Sequence, residues 1–376
     1  MIYGISNAII AINLNKIHKM IKFKKDSSQF YTTLKKEIKL VLTKEVLKKA
    51  NRLLWIKLLI YFFLFVIGIV VLYINPYGNN NLLLILNYIF IGQTGILLAF
   101  NTSHDAVHNT ISKNKKVNSF IYHITFNLQG INARLWKIRH LSSHHIFPNV
   151  DGCDADIDDN KLMRLSPSHK NYFWQKYQHI YAPFLYAIYT LHWILIKDFI
   201  YLKKKELANL KNQNHSIWVV LELLLWKIFY FSYLIIIPYL LTENTFYNLI
   251  FAFIVMHLFI SLFFVFTLII SHLCMETEFP KIDKNEILPY NYYHHQLAVS
   301  LDYHPTSKFS NWIFGGFNSH AAHHLFPNLP HTCYTIITPL IKQKAIQYEY
   351  PYNELSILKA IKSHFKYLKS LGKEKL

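Results

Sequence analysis

Hydrophobic and polar positions along the chain fall into long blocks, not the short alternations of a soluble fold. The stretch "LLWIKLLIYFFLFVIGIVVLYI" (53–74) is apolar all round a helix, and "LLLILNYIFIGQTGILLAF" (82–100) returns after the short uncharged turn "NPYGNNN" (75–81). Roughly 20 apolar residues in helical form cross a hydrocarbon core, so this block predicts two spans joined as a hairpin. A second hairpin follows, with 217–241 and 246–270 linked by "TENT" (242–245). The shorter stretch 180–196 contains Pro183 and His192 and is expected to lie in the interface without crossing. The pattern predicts an all-α, polytopic membrane protein with four transmembrane helices in two hairpins and a cytosolic helical cap.

Charge orients this scheme. Residues 16–52 carry twelve Lys or Arg against three acids, and basic residues also crowd 113–139, 197–211 and the C-terminal tail, whereas neither hairpin turn has any. Cytoplasmic loops are enriched in Lys and Arg, so the turns are expected outside and both termini in the cytosol. A crossing at 180–196 would invert the second hairpin. The expected organisation is a basic cytosolic segment (1–50), a membrane domain (51–345) and a basic cytosolic tail (346–376). The opening "MIYGISNAIIAI" lacks the preceding basic residues of a secretory signal, and Met20 is a second candidate start.

Composition agrees with the bilayer. Of 376 residues 52% are apolar and only 16% charged, against about a quarter charged in soluble proteins. The formal charge of +19 fits nucleic acid, anionic lipid or cytoplasmic loops, and the spans favour the last two, with no nucleic-acid partner expected. Cys153, Cys274 and Cys333 are far apart and support neither a disulfide framework nor a thiolate metal site.

The candidate chemistry lies in the histidines, 21 in all. "HDAVH" supplies His104 and His108, "HLSSHH" supplies His140, His144 and His145, and "HAAHH" supplies His320, His323 and His324. On a helix, residues three or four apart share a face, with Cβ atoms about 5–6 Å apart. Adjacent histidines diverge by roughly 100°, which suits two neighbouring metals better than one. The first box follows the second span, and His272 ("IISHL") follows the fourth, so both hairpins deliver imidazoles to one membrane face. Imidazole alone suits Zn, Cu, Fe or Ni. Eight or nine such ligands fit two metals with open positions, most naturally a redox-active di-iron centre, held by the cap. Asp154 and Asp156, in "DGCDADIDD" after the second box, are either hydrogen-bond partners that orient imidazoles or a solvated loop. Asp105 and His295 are further candidates for that orienting role. Trp136 and Trp312 either line an acyl channel or anchor at the interface. His257 is expected to be hydrogen-bonded between helices, and His123, His179, His192 and His294 are read as ordinary surface or packing residues.

The three boxes, their order, and "HHIFPNVDGCDADI" and "WIFGGFNSHAAHHLFPN" in particular, resemble the membrane fatty-acid desaturase family over about residues 90–335. The resemblance implies two Fe ions that activate O2 and remove two hydrogens from an acyl chain (acyl-CoA, acyl-carrier or acyl-lipid). It assigns metal-ligand roles to His104, His108, His140, His144, His145, His320, His323 and His324, with His272 matching an additional ligand. Asn109 stands where the family usually has Gly, and His320 where the closest subgroup often has Gln. No HPGG haem motif and no C-x4-C-x2-C cluster occurs, so electrons are expected from a separate ferredoxin or cytochrome b5 type donor. A lipid or carotenoid hydroxylase or ketolase with the same metals is the alternative. A metal carrier fits less well, because its ligands would lie near the bilayer midplane.

Overall fold

A computed structural model describes residues 21–158 and 160–374. The apolar opening stretch, Met20 and Asp159 lie outside the described residues.

Helix α1 (Phe30–Val41) precedes α2 (Lys44–Ile74), whose first turn is closed by the Thr43 hydroxyl accepting from Val46 N at 3.3 Å. Only one stripe of α2 is buried: Ala50, Leu54, Lys57, Tyr61, Phe65, Gly68 and Leu72. This three-and-four spacing follows one face of an α-helix, while Leu59, Phe63 and Ile74 on the other faces stay exposed. A helix apolar all round but packed along one stripe has its remaining surface suited to lipid. Asn75 ends α2 in the left-handed region, and Asn80 caps α3 (Asn81–Val107) by accepting from Leu82 N and Leu83 N. The two helices pack together, with Asn87 donating to the Gly68 carbonyl at 3.2 Å.

After α4 (Lys115–Asn127) and α5 (Ala133–Arg139) come two helices, Phe173–Ala187 and Tyr189–Lys203, bent by 64° at their junction. Each has about 15 residues, or about 22 Å of helix, less than the roughly 30 Å hydrocarbon core. Neither makes a straight span by itself, and taken together the bent pair is either one broken span or a re-entrant element. Two further apolar helices, α8 (Ile217–Leu241) and α9 (Phe246–Ile269), complete four elements long and apolar enough to cross a membrane; here the bent pair is counted as α6 and α7. Their shared core with α2 and α3 holds Phe65, Leu84, Tyr88, Ile91, Met256 and Ile260. His257 on α9 is hydrogen-bonded between helices as expected, to Thr190 Oγ1 at 2.8 Å and Tyr230 OH at 2.9 Å.

The molecule is mainly helical but includes two short parallel strand pairs. Strand β1 (Lys22–Lys24) lies beside β2 (Ile287–Asn291), and β3 (Leu301–Tyr303) beside β4 (Asn353–Leu355), with Leu301 opposite Asn353. Pairs this distant in sequence leave no local signal. The third box sits on a short helix, His320–Leu325, whose start is held by Asp302 accepting from Ala321 N at 2.9 Å. It ends just before Phe326-Pro327, since the residue preceding proline disfavours helical geometry.

Candidate metal centre

The first two boxes are wound differently from what their spacing suggests. The second span does not stop at residue 100. It continues through a π-helical turn, Ala99–Ser103, into His104–Val107. The Thr102 hydroxyl turns back onto the Leu98 carbonyl, a bond that competes with the i→i−4 ladder. His108 ends this helix, and Asn109 follows with φ 61°, the left-handed region that Gly occupies freely and Asn tolerates. That explains why Asn serves at a position where the resembling family uses Gly. The second box is itself a π turn, His140–His144, with His145 N donating to His140 O at 3.0 Å.

These elements bring nine histidines into two groups. In His104, His108, His140, His145 and His323, one ring nitrogen from each lies within 4.8 Å of all the others, and His144, His272, His320 and His324 do the same. All nine are buried. The groups adjoin, with the His145 and His324 rings stacked at 4.8 Å. Adjacent histidines divide between groups as expected: His144 from His145, and His323 from His324. The i,i+4 rule holds for His104 with His108 and His320 with His324. It fails for His140, which joins His145 while His144 faces the other group, because the π turn carries residue i+5 onto the face of residue i.

Inside the groups the Nε2 atoms face one another: His272 with His320 at 2.6 Å, His140 with His145 at 3.0 Å, His320 with His324 at 3.1 Å and His108 with His140 at 3.3 Å. Neutral imidazole carries one donor and one acceptor nitrogen, so where the proton sits on Nδ1, as on His272, the converging Nε2 lone pairs are placed to share a cation. His104 Nε2 and His323 Nε2 are buried with no hydrogen-bond partner among the described residues. This donor set fits a metal in each group. Two outward nitrogens are held by the protein, His272 Nδ1 donating to Val299 O at 2.9 Å and His144 Nδ1 meeting both Asp154 oxygens at 3.2 Å. Burial pushes His108 down to about 4 and His272 to about 3, and drives His140, His145, His320, His323 and His324 well below the usual histidine value. These rings are neutral at physiological pH and available as ligands. For His144 burial also lowers the value, but Asp154 and Asp156 outweigh it and the net direction is up.

The fatty acid desaturase model matches residues 79–356, three quarters of the chain, and that interval includes every one of these histidines. The chain belongs to the fatty acid desaturase family. Among its relatives, the probable Delta(5) fatty acid desaturase C of Dictyostelium discoideum is 28% identical over 365 residues, covering 92% of this chain and 77% of the relative. The sn-1 linoleoyl-lipid 6-desaturase of Arthrospira platensis is 28% identical over 290 residues, covering 77% and 78%. This desaturase is an oxidoreductase, and its four apolar helices make it a membrane protein.

The remaining candidates fall in different places. Asp154 lies against His144, and Asp156, partly exposed, reaches His144 Nδ1 at 3.6 Å and pairs with Arg139 at 3.0 Å. Trp136 stacks on His140 at 4.2 Å. His295 Nε2 donates to Pro148 O at 3.0 Å, beside the second-box tail. Trp312 contacts Tyr61 and Lys57. Asp105 meets no box histidine. Its carboxylate engages His331 Nδ1 and accepts from His331 N at 3.0 Å and Thr110 Oγ1 at 2.9 Å. Sequence reading did not single out His331, nor Lys57, whose ammonium reaches His331 Nε2 at 2.6 Å. Lys57 had a signal, because it is the only charge within 53–74 and an ionisable group inside a span is a functional candidate.

Proposed function

We propose that this desaturase is an O2-dependent di-iron enzyme that introduces a double bond into a lipid-linked acyl chain. The observation that carries the reading is the pair of adjoining buried histidine groups, five and four, with inward Nε2 atoms. All-imidazole donors suit iron among few metals, and two metals side by side suit a two-electron oxidation. When bound there, iron supplies the reduction of O2 and the removal of two hydrogens. His104, His108, His140, His145 and His323 would hold one ion, and His144, His272, His320 and His324 the other. The chain's own contribution is position and dryness. Outward hydrogen bonds orient His144 and His272, and an unactivated methylene pair, which offers nothing polar to recognise, must be presented by shape. Relatives named acyl-lipid (8-3)-desaturase B and sn-1 linoleoyl-lipid 6-desaturase support the lipid-linked substrate.

Two electrons per turnover come, in this reading, from a separate ferredoxin or cytochrome b5 type protein. The histidine groups and both termini face the cytosol, where the Lys/Arg-rich segments favour an acidic donor. The test is expression in a host of known lipid composition, with gas chromatography–mass spectrometry of fatty-acid methyl esters and metal analysis of the purified protein. A new double bond and about two irons per chain are expected. A hydroxylated or keto product, or zinc in place of iron, overturns the reading.

A further inference from the structure

Lys57 is buried in α2, although it is the only charge in the apolar block 53–74. Its ammonium lies 2.6 Å from His331 Nε2 and 3.2 Å from the Asn311 carbonyl, and 5.1 Å from the Trp312 ring. An ammonium can only donate, so His331 Nε2 must accept and His331 Nδ1 must carry the proton. That N–H points at Asp105 Oδ2, while the backbone N–H of His331 and the hydroxyl of Thr110 bind Oδ1. A donor-only group at one end thus sets the tautomer of the imidazole in the middle, which in turn clamps the carboxylate at the other end. Asn311 Nδ2 donates to His331 O at 2.9 Å and closes the cluster. Gly316, at φ 85°, lets His331 approach, since a Cβ there would stand 2.5 Å from that of His331.

We propose that Lys57 and His331 are positioning residues for the five-histidine group, holding Asp105 and therefore the helical turn that presents His104 and His108. The inference rests on the metal reading above. Asp105 directly follows His104 and is three residues before His108, so anchoring its carboxylate anchors the backbone turn that carries both ligands. The chain joins α2, the first box and the segment after the third box, three elements separated by up to 274 residues. Lys57 and Asp105 would each be costly to bury alone, and through His331 their opposite charges compensate. None of these hydrogen bonds reaches His144, His272, His320 or His324, so disturbance should fall on one metal and spare the other.

The test uses full-length protein purified in detergent from cells grown on iron enriched in the Mössbauer isotope. Lys57→Met removes the ammonium, and His331→Asn keeps a donor near the Nδ1 position but gives up the Lys57 contact. With melting temperature and elution volume unchanged, each variant is expected to lose, or spectrally alter, only one of about two irons. kcat should fall about 10–100-fold, the usual consequence of losing a partner that orients a ligand, with KM little changed. If Lys57→Met does not fold, His331→Asn decides by the same criterion. Two irons with an unaltered spectrum, or equal loss of both, overturns the inference. Wild-type protein without iron overturns the di-iron reading instead, and whatever metal it does hold, counted in the same variants, still tests the positioning.

Discussion

The Nε2 atoms of His140 and His145 stand 3.0 Å apart, while His144, the i+4 neighbour of His140, turns to the other group and meets His272 and His324. A regular α-turn would put His140 and His144 on one face. The π turn 140–144 reverses this and lets one short segment supply both histidine groups.

Replacing His140 or His145 with Ala should therefore remove iron from the five-histidine group and leave the four-histidine group loaded. His144→Ala should do the opposite. Each should lower desaturation by at least about 100-fold, beyond the range for losing a mere orienting partner. Metal content and methyl-ester analysis of the three variants check the assignment.

Asp154 accepts from His144 Nδ1, Asn149 N at 3.0 Å and Asp156 N at 2.9 Å, so it fixes both the ring and the loop behind it. Asp154→Ala should weaken iron retention about 10–100-fold without abolishing the fold. Chelator competition against the wild type measures this directly.

Asp198 and Lys227 form a buried pair at 2.6 Å that also binds Gly130 O, Asn132 N and the Trp193 indole. Removing one partner leaves an uncompensated buried charge. Asp198→Ala or Lys227→Met alone should cost about 3–5 kcal/mol, and the double variant clearly less than the sum. Thermal unfolding in detergent, run as a double-mutant cycle, gives the coupling.

Chelator-stripped protein should lose stability as pH falls below about 6.5. His108 and His272 have folded values near 4 and 3, well below the unfolded value, so between those limits the unfolded chain binds more protons. Each such group contributes up to about 1.4 kcal/mol per pH unit, and the loss continues until pH drops through the folded values. Melting temperature across pH 4–8 checks the sign, and iron-loaded protein should show a steeper loss because acid also releases the metal.

Much of this architecture is legible in residue order. Blocks of about 20 apolar residues can only be helical in a bilayer, because every backbone polar group must be satisfied within its own segment. That is why the spans at 53–74, 82–100, 217–241 and 246–270 appear within a few residues of helices in the structure, apart from the earlier start of α2 and the continuation of α3 into the first box. Histidine spacing likewise exposes the three boxes, and the position two residues past the fourth span exposes His272. The bend at 187–189 was signalled only by the shortness of its apolar stretch and by Pro183.

Sequence by itself thus determined the spans, the histidine set and the splitting of each "HH" pair, all consequences of helical periodicity and solvent partition. Tertiary structure decided which histidine joins which group, and that Asp105 serves His331 and Lys57 instead of a box histidine. The first depends on i→i+5 winding that no residue pattern marks. The second depends on contacts between residues 226 and 274 positions apart. Local periodicity fixes the face a side chain takes on its own helix, but its partner is set by how helices far apart in the chain are brought together.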